Sequence, residues 1–190
     1  MGETKKNSKA TSILKNNPLT SIVKGNIGII VVLIIMCVAV AFATDKFLTT
    51  NNIISVLRQI SINTYIALGM TLIIILGHID LSVGSIVAMS GTLTVGFIVN
   101  QGLPLGVAIA AGLLVGTAAG FISGFIVANF KVPAFIITMA MMNIASGIAY
   151  VYTGGQSTRI TNKLFIEIGT GYLFNVIPLP VVYMVVLIIV

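Results

Sequence analysis

The stretch from Ile53 to Val99 reads as an almost continuous apolar run of 47 residues. As one helix it would be roughly 70 Å long, at about 1.5 Å per residue, against a hydrocarbon core of about 30 Å. It must turn back. The break belongs at Gly77-His78-Ile79-Asp80, where glycine interrupts the helix and the aspartate offers an oxygen to cap the next one. A carboxylate at a helix centre in lipid costs about 2.5–3.5 kcal/mol on insertion scales. The chain has four acids, and only Asp80 lies deep inside such a run. Asp80 therefore marks a junction between two spans or faces a protein-lined aqueous path. Either reading gives a polytopic membrane protein that transports or gates something.

Composition agrees. The chain is 57% hydrophobic and 7% charged, with a mean hydropathy of +1.14, whereas soluble domains carry about 25% charged residues. A chain of 190 residues could not bury that much apolar surface in a soluble core. The net charge of +6 does not point to nucleic acid, because half of the basic residues (Lys5, Lys6, Lys9, Lys15 and Lys24) precede the first span. That is the positive-inside pattern, and it predicts a basic cytoplasmic tail over residues 1–25 and a transmembrane domain over residues 26–190. Ala41-Phe42-Ala43 imitates a signal-peptide cleavage site, but the preceding apolar stretch is longer than the usual h-region, so an uncleaved first span is expected. With one cysteine, Cys37, and one histidine, no internal disulfide and no Cys/His metal site can be built.

The fold class expected is an all-α transmembrane bundle with five full spans and a curtailed sixth. The spans run over about Ile27–Thr44, Ile54–Leu76, Leu81–Val99, Pro104–Ala128 and Pro133–Tyr152. Thr49, Thr50, Asn51 and Asn52 supply capping oxygens before the second. Thr153 to about Asn175 reads as a polar loop, and Pro178 and Pro180 open the last apolar segment. Only 13 residues run from Pro178 to Val190, so that segment is expected to be incomplete. Alternation from a cytoplasmic N-terminus puts Lys131 inside and the Thr153–Asn175 loop outside.

Several constellations stand out. Gly112, Gly116, Gly120 and Gly124 form a small-xxx-small row suited to close helix packing. The second span starts polar: Arg58, Ser61, Thr64 and Tyr65 share one broad face, and Gln59 and Asn63 lie on another. Such a half-helix faces protein or water, or else lies at the interface with Arg58 snorkelling to head groups. His78 and Asp80 suggest a proton relay when taken alone; the plainer account is that Asp80 and Ser82 cap the third span. Thr153-Gly154-Gly155-Gln156 is a turn signature and weak evidence of a binding loop. No GxxxxGK[ST] loop and no paired-carboxylate, Ser/His/Asp or Cys/His arrangement occurs, so nucleotide binding by that route and an enzyme active site are not expected, and no cofactor is implied.

Asn51-Asn52-Ile53 through Arg58-Gln59, Asn63, Ala67-Leu68-Gly69-Met70-Thr71 and the Gly77–Ser85 run resemble the ribose-type sugar permeases. These are transmembrane subunits of bacterial ATP-binding-cassette importers. Val132-Pro133-Ala134-Phe135-Ile136-Ile137-Thr138 and Tyr152-Thr153-Gly154-Gly155-Gln156 extend the likeness, which covers Lys24 to Val190 in the family's order. His78 departs, standing where the common form has glycine. The resemblance implies an inner-membrane permease that pairs with a second copy, a cytoplasmic cassette ATPase and an extracytoplasmic sugar-binding protein. It also implies a longer family chain whose second half docks the ATPase, so that these residues alone would not couple hydrolysis to transport. Sugar hydroxyls need hydrogen-bonding walls more than charges, and Asp80, Ser82, Arg58, Gln59 and Asn63 are the pathway candidates. The competing expectations are a self-sufficient secondary transporter or channel using His78 and Asp80, and a non-transporting scaffold built on the glycine row.

Overall fold

A computed structural model describes residues 25–174 and 176–189. The basic tail expected over residues 1–25 lies, apart from Gly25, outside the described residues. The described residues hold seven helices: α1 (Ile27–Ala43), α2 (Thr50–Ile75), α3 (Val83–Val99), α4 (Leu105–Phe130), α5 (Ala134–Thr153), α6 (Lys163–Thr170) and α7 (Leu179–Ile189). A two-stranded ribbon, β1 (Tyr172–Leu173) and β2 (Ile177–Pro178), separates α6 from α7. The chain divides into two compact units at Ile53/Ile54.

In the first unit α1 ends where Thr44 turns extended, and the hydroxyl of Thr44 then accepts from Lys46 N–H. Thr49 Oγ1 accepts from Asn52 N–H at 3.4 Å as α2 starts, and the Asn52 amide donates to Phe47 O at 2.7 Å. The capping oxygens of the Thr49–Asn52 cluster thus serve the bend between two helices.

The second unit is organised around α3. Gly112 of α4 faces Thr94, and Gly116 faces Ile86 and Ser90, so α4 runs antiparallel to α3. Ser85 meets Ser146, and Gly96 meets Tyr152, so α5 runs parallel to α3. Met89, Ala119 and Ala145 form the centre, with Ile86, Leu93, Val115 and Met141 around it. Pro104 and Pro133 stand at the N-caps of α4 and α5, where a missing N–H costs no helical bond.

The burial pattern is inverted relative to a water-soluble protein. Ser61, Ser82, Thr94, Ser123, Thr138, Gly96 and Gly112 are buried, while Leu113, Leu114 and Phe121 are 67–70% exposed. Hydroxyls inside the helices bond back to their own turns: Thr94 to Ser90 O, Ser123 to Ala119 O, Ser61 to Leu57 O. Small and self-satisfied residues pack inward and large apolar ones face out, the arrangement required when the solvent is hydrocarbon. Three helices, α2, α4 and α5, are long and apolar enough to cross a membrane; α1, α3 and α7 are apolar but shorter.

Two elements depart from the sequence reading. The region from Thr153 to Asn175, expected to be a polar loop, contains α6 and β1. Asn162 caps α6 by accepting from Phe165 N–H at 3.1 Å, and Leu164, Phe165, Ile166 and Ile168 then concentrate its apolar residues. The scattered charges of Arg159, Lys163 and Glu167 outweighed that short signal in the sequence.

Candidate functional site

The junction around Asp80 is built from backbone first. Gly77 takes a left-handed conformation at φ 76°, and this lets two N–H groups return to the last turn of α2. His78 N–H reaches Ile73 O at 3.1 Å and Gly77 N–H reaches Ile74 O at 2.9 Å, the paired bonds of a Schellman end. His78 thereby closes a helix through its backbone, and its side chain is exposed.

Asp80 Oδ1 accepts twice from Ser82, from its N–H at 2.7 Å and from its hydroxyl at 2.6 Å. Ser82 is fully buried and stands at the N-cap of α3, yet its side chain makes no bond to the first turn. The junction is therefore an aspartate turn that fixes Ser82, rather than two residues each capping the helix directly. Thr138 Oγ1 donates to Ile79 O at 3.4 Å and to Phe135 O at 3.3 Å, which ties the junction to the start of α5. The carboxylate is half-buried and engaged by protein.

Arg58 lies at the opposite end of the helices. Its Nη2 donates to Thr170 O, its guanidinium sits 4.9 Å from the Tyr172 ring centroid, and its buried Nε has no hydrogen-bond partner among the described residues. About two turns further on, Tyr65 donates its hydroxyl to Pro180 O at 2.6 Å. The face of α2 that carries Arg58, Ser61 and Tyr65 thus holds the α6–ribbon–α7 segment in place. Gln59 and Asn63, on the other face, are exposed. The five residues singled out from the sequence do not form one site: Asp80 and Ser82 belong to one end, Arg58 to the other, and Gln59 and Asn63 to a separate surface.

The glycine row also divides. A Cβ on Gly112 would stand 1.8 Å from Thr94 Oγ1, and one on Gly116 would make ordinary contact at 3.7 Å. At Gly120 and Gly124 nothing lies within 4 Å. The cause is helical pitch. Each four-residue step overshoots a full turn by about 40°, so Gly124 points roughly 120° away from Gly112. The buried seam of α4 instead follows Ala108, Gly112, Ala119 and Ser123, nearer the true helical repeat.

A feature not anticipated as a site is a cleft of about 680 Å³ between α3 and α5. Thr92 lines it from α3, Ser146, Tyr150 and Thr153 from α5, and Gln156 and Thr158 from the chain that folds back after α5. That return depends on a second Schellman end: Gly154 N–H bonds Val151 O at 3.3 Å and Gly155 N–H bonds Tyr150 O at 3.1 Å. Gly154 and Gly155 have φ of 60° and 72°. A Cβ on Gly155 would come within 2.9 Å of the Tyr150 ring, so glycine lets the chain pass over it. The signal in the sequence was the Thr153–Gln156 turn, which reads as a turn before it reads as a wall.

Comparison with known proteins bears on the whole arrangement. The family model for the branched-chain amino acid transport system / permease component matches residues 52–190. The chain is 42% identical over 155 residues to the ribose import permease protein RbsC of Haemophilus influenzae, covering 80% of this chain and 47% of that one. It is 39% identical over 127 residues to the ribose import permease protein RbsC of Escherichia coli K12, covering 67% and 39%. To the xylose transport system permease protein XylH of Haemophilus influenzae it is 37% identical over 155 residues, covering 80% and 41%. The chain thus spans about half the length, or less, of the curated relatives it matches. No solved structure matches it.

Proposed function

Since the chain belongs to the branched-chain amino acid transport system / permease component family, we propose that it is the membrane-spanning permease part of an ATP-binding-cassette importer for a monosaccharide, ribose first among the pentoses. The observation that carries this reading is the run of similarity to ribose and xylose permeases across the helical region, with identities of 37–42%. A similarity at 33% identity to the L-arabinose ABC transporter permease protein AraH of Azospirillum brasilense supports the wider class of pentoses.

On this reading the protein lies in the bacterial inner membrane with its N-terminus in the cytoplasm. It crosses five times before a sixth segment at α7. A second permease copy, a cytoplasmic cassette ATPase and an extracytoplasmic sugar-binding protein complete the importer. Two side-chain contacts support the alternation of spans. Arg58 at the start of α2 meets the segment after α5, and Ile79 after α2 meets the start of α5. The ends thus sort as two sides of a bilayer would sort them.

Asp80 and Ser82 serve as the junction that sets where α3 begins, and Arg58 as the anchor of the outer segment. Gln59 and Asn63 remain the exposed polar groups of α2 that another helix or the sugar path would cover. A self-sufficient transporter using His78 and Asp80 is not favoured, because the relatives matched across the helical region are permeases of ribose import and xylose transport systems.

The test is reconstitution of the full-length permease with its ATPase and binding protein in proteoliposomes. D-ribose uptake is expected to require ATP and the binding protein and to survive a protonophore. Uptake without the ATPase that collapses with the proton gradient would replace the importer reading with the secondary-transporter one.

A further inference from the structure

We infer that the cleft between α3 and α5 is a station for one neutral, polyhydroxylated ligand, a single sugar ring, on the translocation path. The inference rests on the importer reading and adds the place and the chemistry.

Three observations carry it. The first is the lining. Thr92, Ser146, Tyr150, Thr153, Gln156 and Thr158 bring hydroxyl, phenol and amide groups to one open cleft, and no lining residue is charged. An anion is favoured by a cation or a converging set of N–H donors, and a divalent cation by carboxylates; this lining carries no charge of either sign. Donor–acceptor groups without charge suit hydroxyls, which donate and accept in turn. The amide of Gln156 and the hydroxyls of Thr92 and Thr158 make no hydrogen bond among the described residues. Ser146 and Thr153 donate to Ser85 Oγ and Ala149 O, and their lone pairs remain available.

The second is depth. Thr92 and Ser146 lie near the middle of α3 and α5. Polar groups gathered at that depth are costly toward acyl chains and mark a solute path or a protein contact. The cleft continues from there to the ends of the helices, where the 154–158 chain folds over it.

The third is space. At about 680 Å³ the cleft falls in the range of small-ligand sites, about 300–1,000 Å³. Its room is made by small residues: Ala88 and Gly91 on α3, Ala149 on α5. Nothing lies within 4 Å of a Cβ built on Gly91. A side chain there would enter the cleft without meeting the fold.

Gly91 therefore supplies the test. Full-length permease carrying Gly91→Leu is reconstituted with its ATPase and binding protein, and initial uptake of radiolabelled D-ribose and D-xylose is measured. The expected result is a loss of at least tenfold. Gly106→Leu, on α4 and also open to space, is expected to transport as the unsubstituted protein does. Thr92→Val and Gln156→Leu, which remove hydrogen-bonding groups from the cleft with little change of volume, are expected to weaken uptake several-fold and to cover the case that Gly91→Leu does not assemble. In a background with Cys37 and every other cysteine of the full-length chain replaced by serine, Thr92→Cys is expected to react with a maleimide more slowly in excess D-ribose than in excess L-arginine. Normal uptake by Gly91→Leu and by the Thr92 and Gln156 variants, with no sugar protection at position 92, overturns the inference while leaving the importer reading intact. If the unsubstituted assembly moves neither pentose, the pentose part of the importer reading falls, and this inference falls with it.

Discussion

Replacing Gly112 by alanine places one methyl group where the structure has no room for it. The new Cβ would lie 1.8 Å from Thr94 Oγ1 and 3.2 Å from both Thr94 Cβ and Ser90 O. Rotating the Thr94 hydroxyl away removes the worst overlap, but it breaks the 2.7 Å bond to Ser90 O. The two 3.2 Å contacts remain, and one of them is backbone. Overpacking of this kind costs about 1–3 kcal/mol, and the lost hydrogen bond adds about 1 kcal/mol. The better helix propensity of alanine returns about 1 kcal/mol. The net is a destabilisation of about 1–3 kcal/mol. Gly120→Ala on the same row meets open space and is expected to be neutral or slightly stabilising. The assay is unfolding of the full-length permease in mild detergent, followed by fluorescence-detected size exclusion across a temperature series. Adding Thr94→Ala to Gly112→Ala is expected to restore much of the loss by removing the clashing oxygen. Equal melting of the Gly112 and Gly120 variants, or no recovery in the double variant, would refute the argument that α3 and α4 meet at Gly112.

Three further outcomes follow from local geometry. Gly96→Ala drives a methyl to within 2.2 Å of the Tyr152 ring and is expected to loosen the α3–α5 contact by about 1–3 kcal/mol, read in the same melt, with Tyr152→Ala recovering part of it. Asp80→Ala leaves two donors of buried Ser82 unmatched, a loss on the order of 2–4 kcal/mol, whereas Asp80→Asn keeps an acceptor oxygen and is expected to fall well short of that; equal losses would contradict the double acceptance by Oδ1. Arg58→Leu removes the tie to Thr170 and the stack on Tyr172 and is expected to speed protease nicking between Thr158 and Lys163 several-fold, with no change at the Asp80 junction.

What could be read from the sequence, and what could not, divides along physical lines. Helix ends were legible where a single residue type dictates them. Gly77 and Gly154 take left-handed conformations, and Pro104 and Pro133 stand at N-caps. The two faces of α2 were legible because about 100° per residue separates Arg58 and Ser61 from Gln59 and Asn63. What each face meets was not. Nothing local tells Arg58 that its partner is Thr170, more than a hundred residues away. The glycine row misled in a specific way: a four-residue repeat looks like one stripe in the sequence, but it winds around the helix in space. The α3–α5 cleft was illegible because its wall is assembled from three segments, none of them polar enough alone to stand out. Its most visible part, the glycine pair, serves to turn the chain.

The exchange of places between large and small side chains has a consequence for how this chain tolerates change. Those outward-facing leucines and phenylalanines that lie against acyl chains border a fluid that conforms to any shape, so swapping one for isoleucine, valine or methionine is expected to leave little trace. Inward-facing glycines, alanines and serines border other backbones, and there a single added carbon must displace something that cannot yield. A saturation scan of this protein is therefore expected to be the photographic negative of one on a water-soluble bundle. The bulkiest positions will be the most permissive, and the barest will be the least.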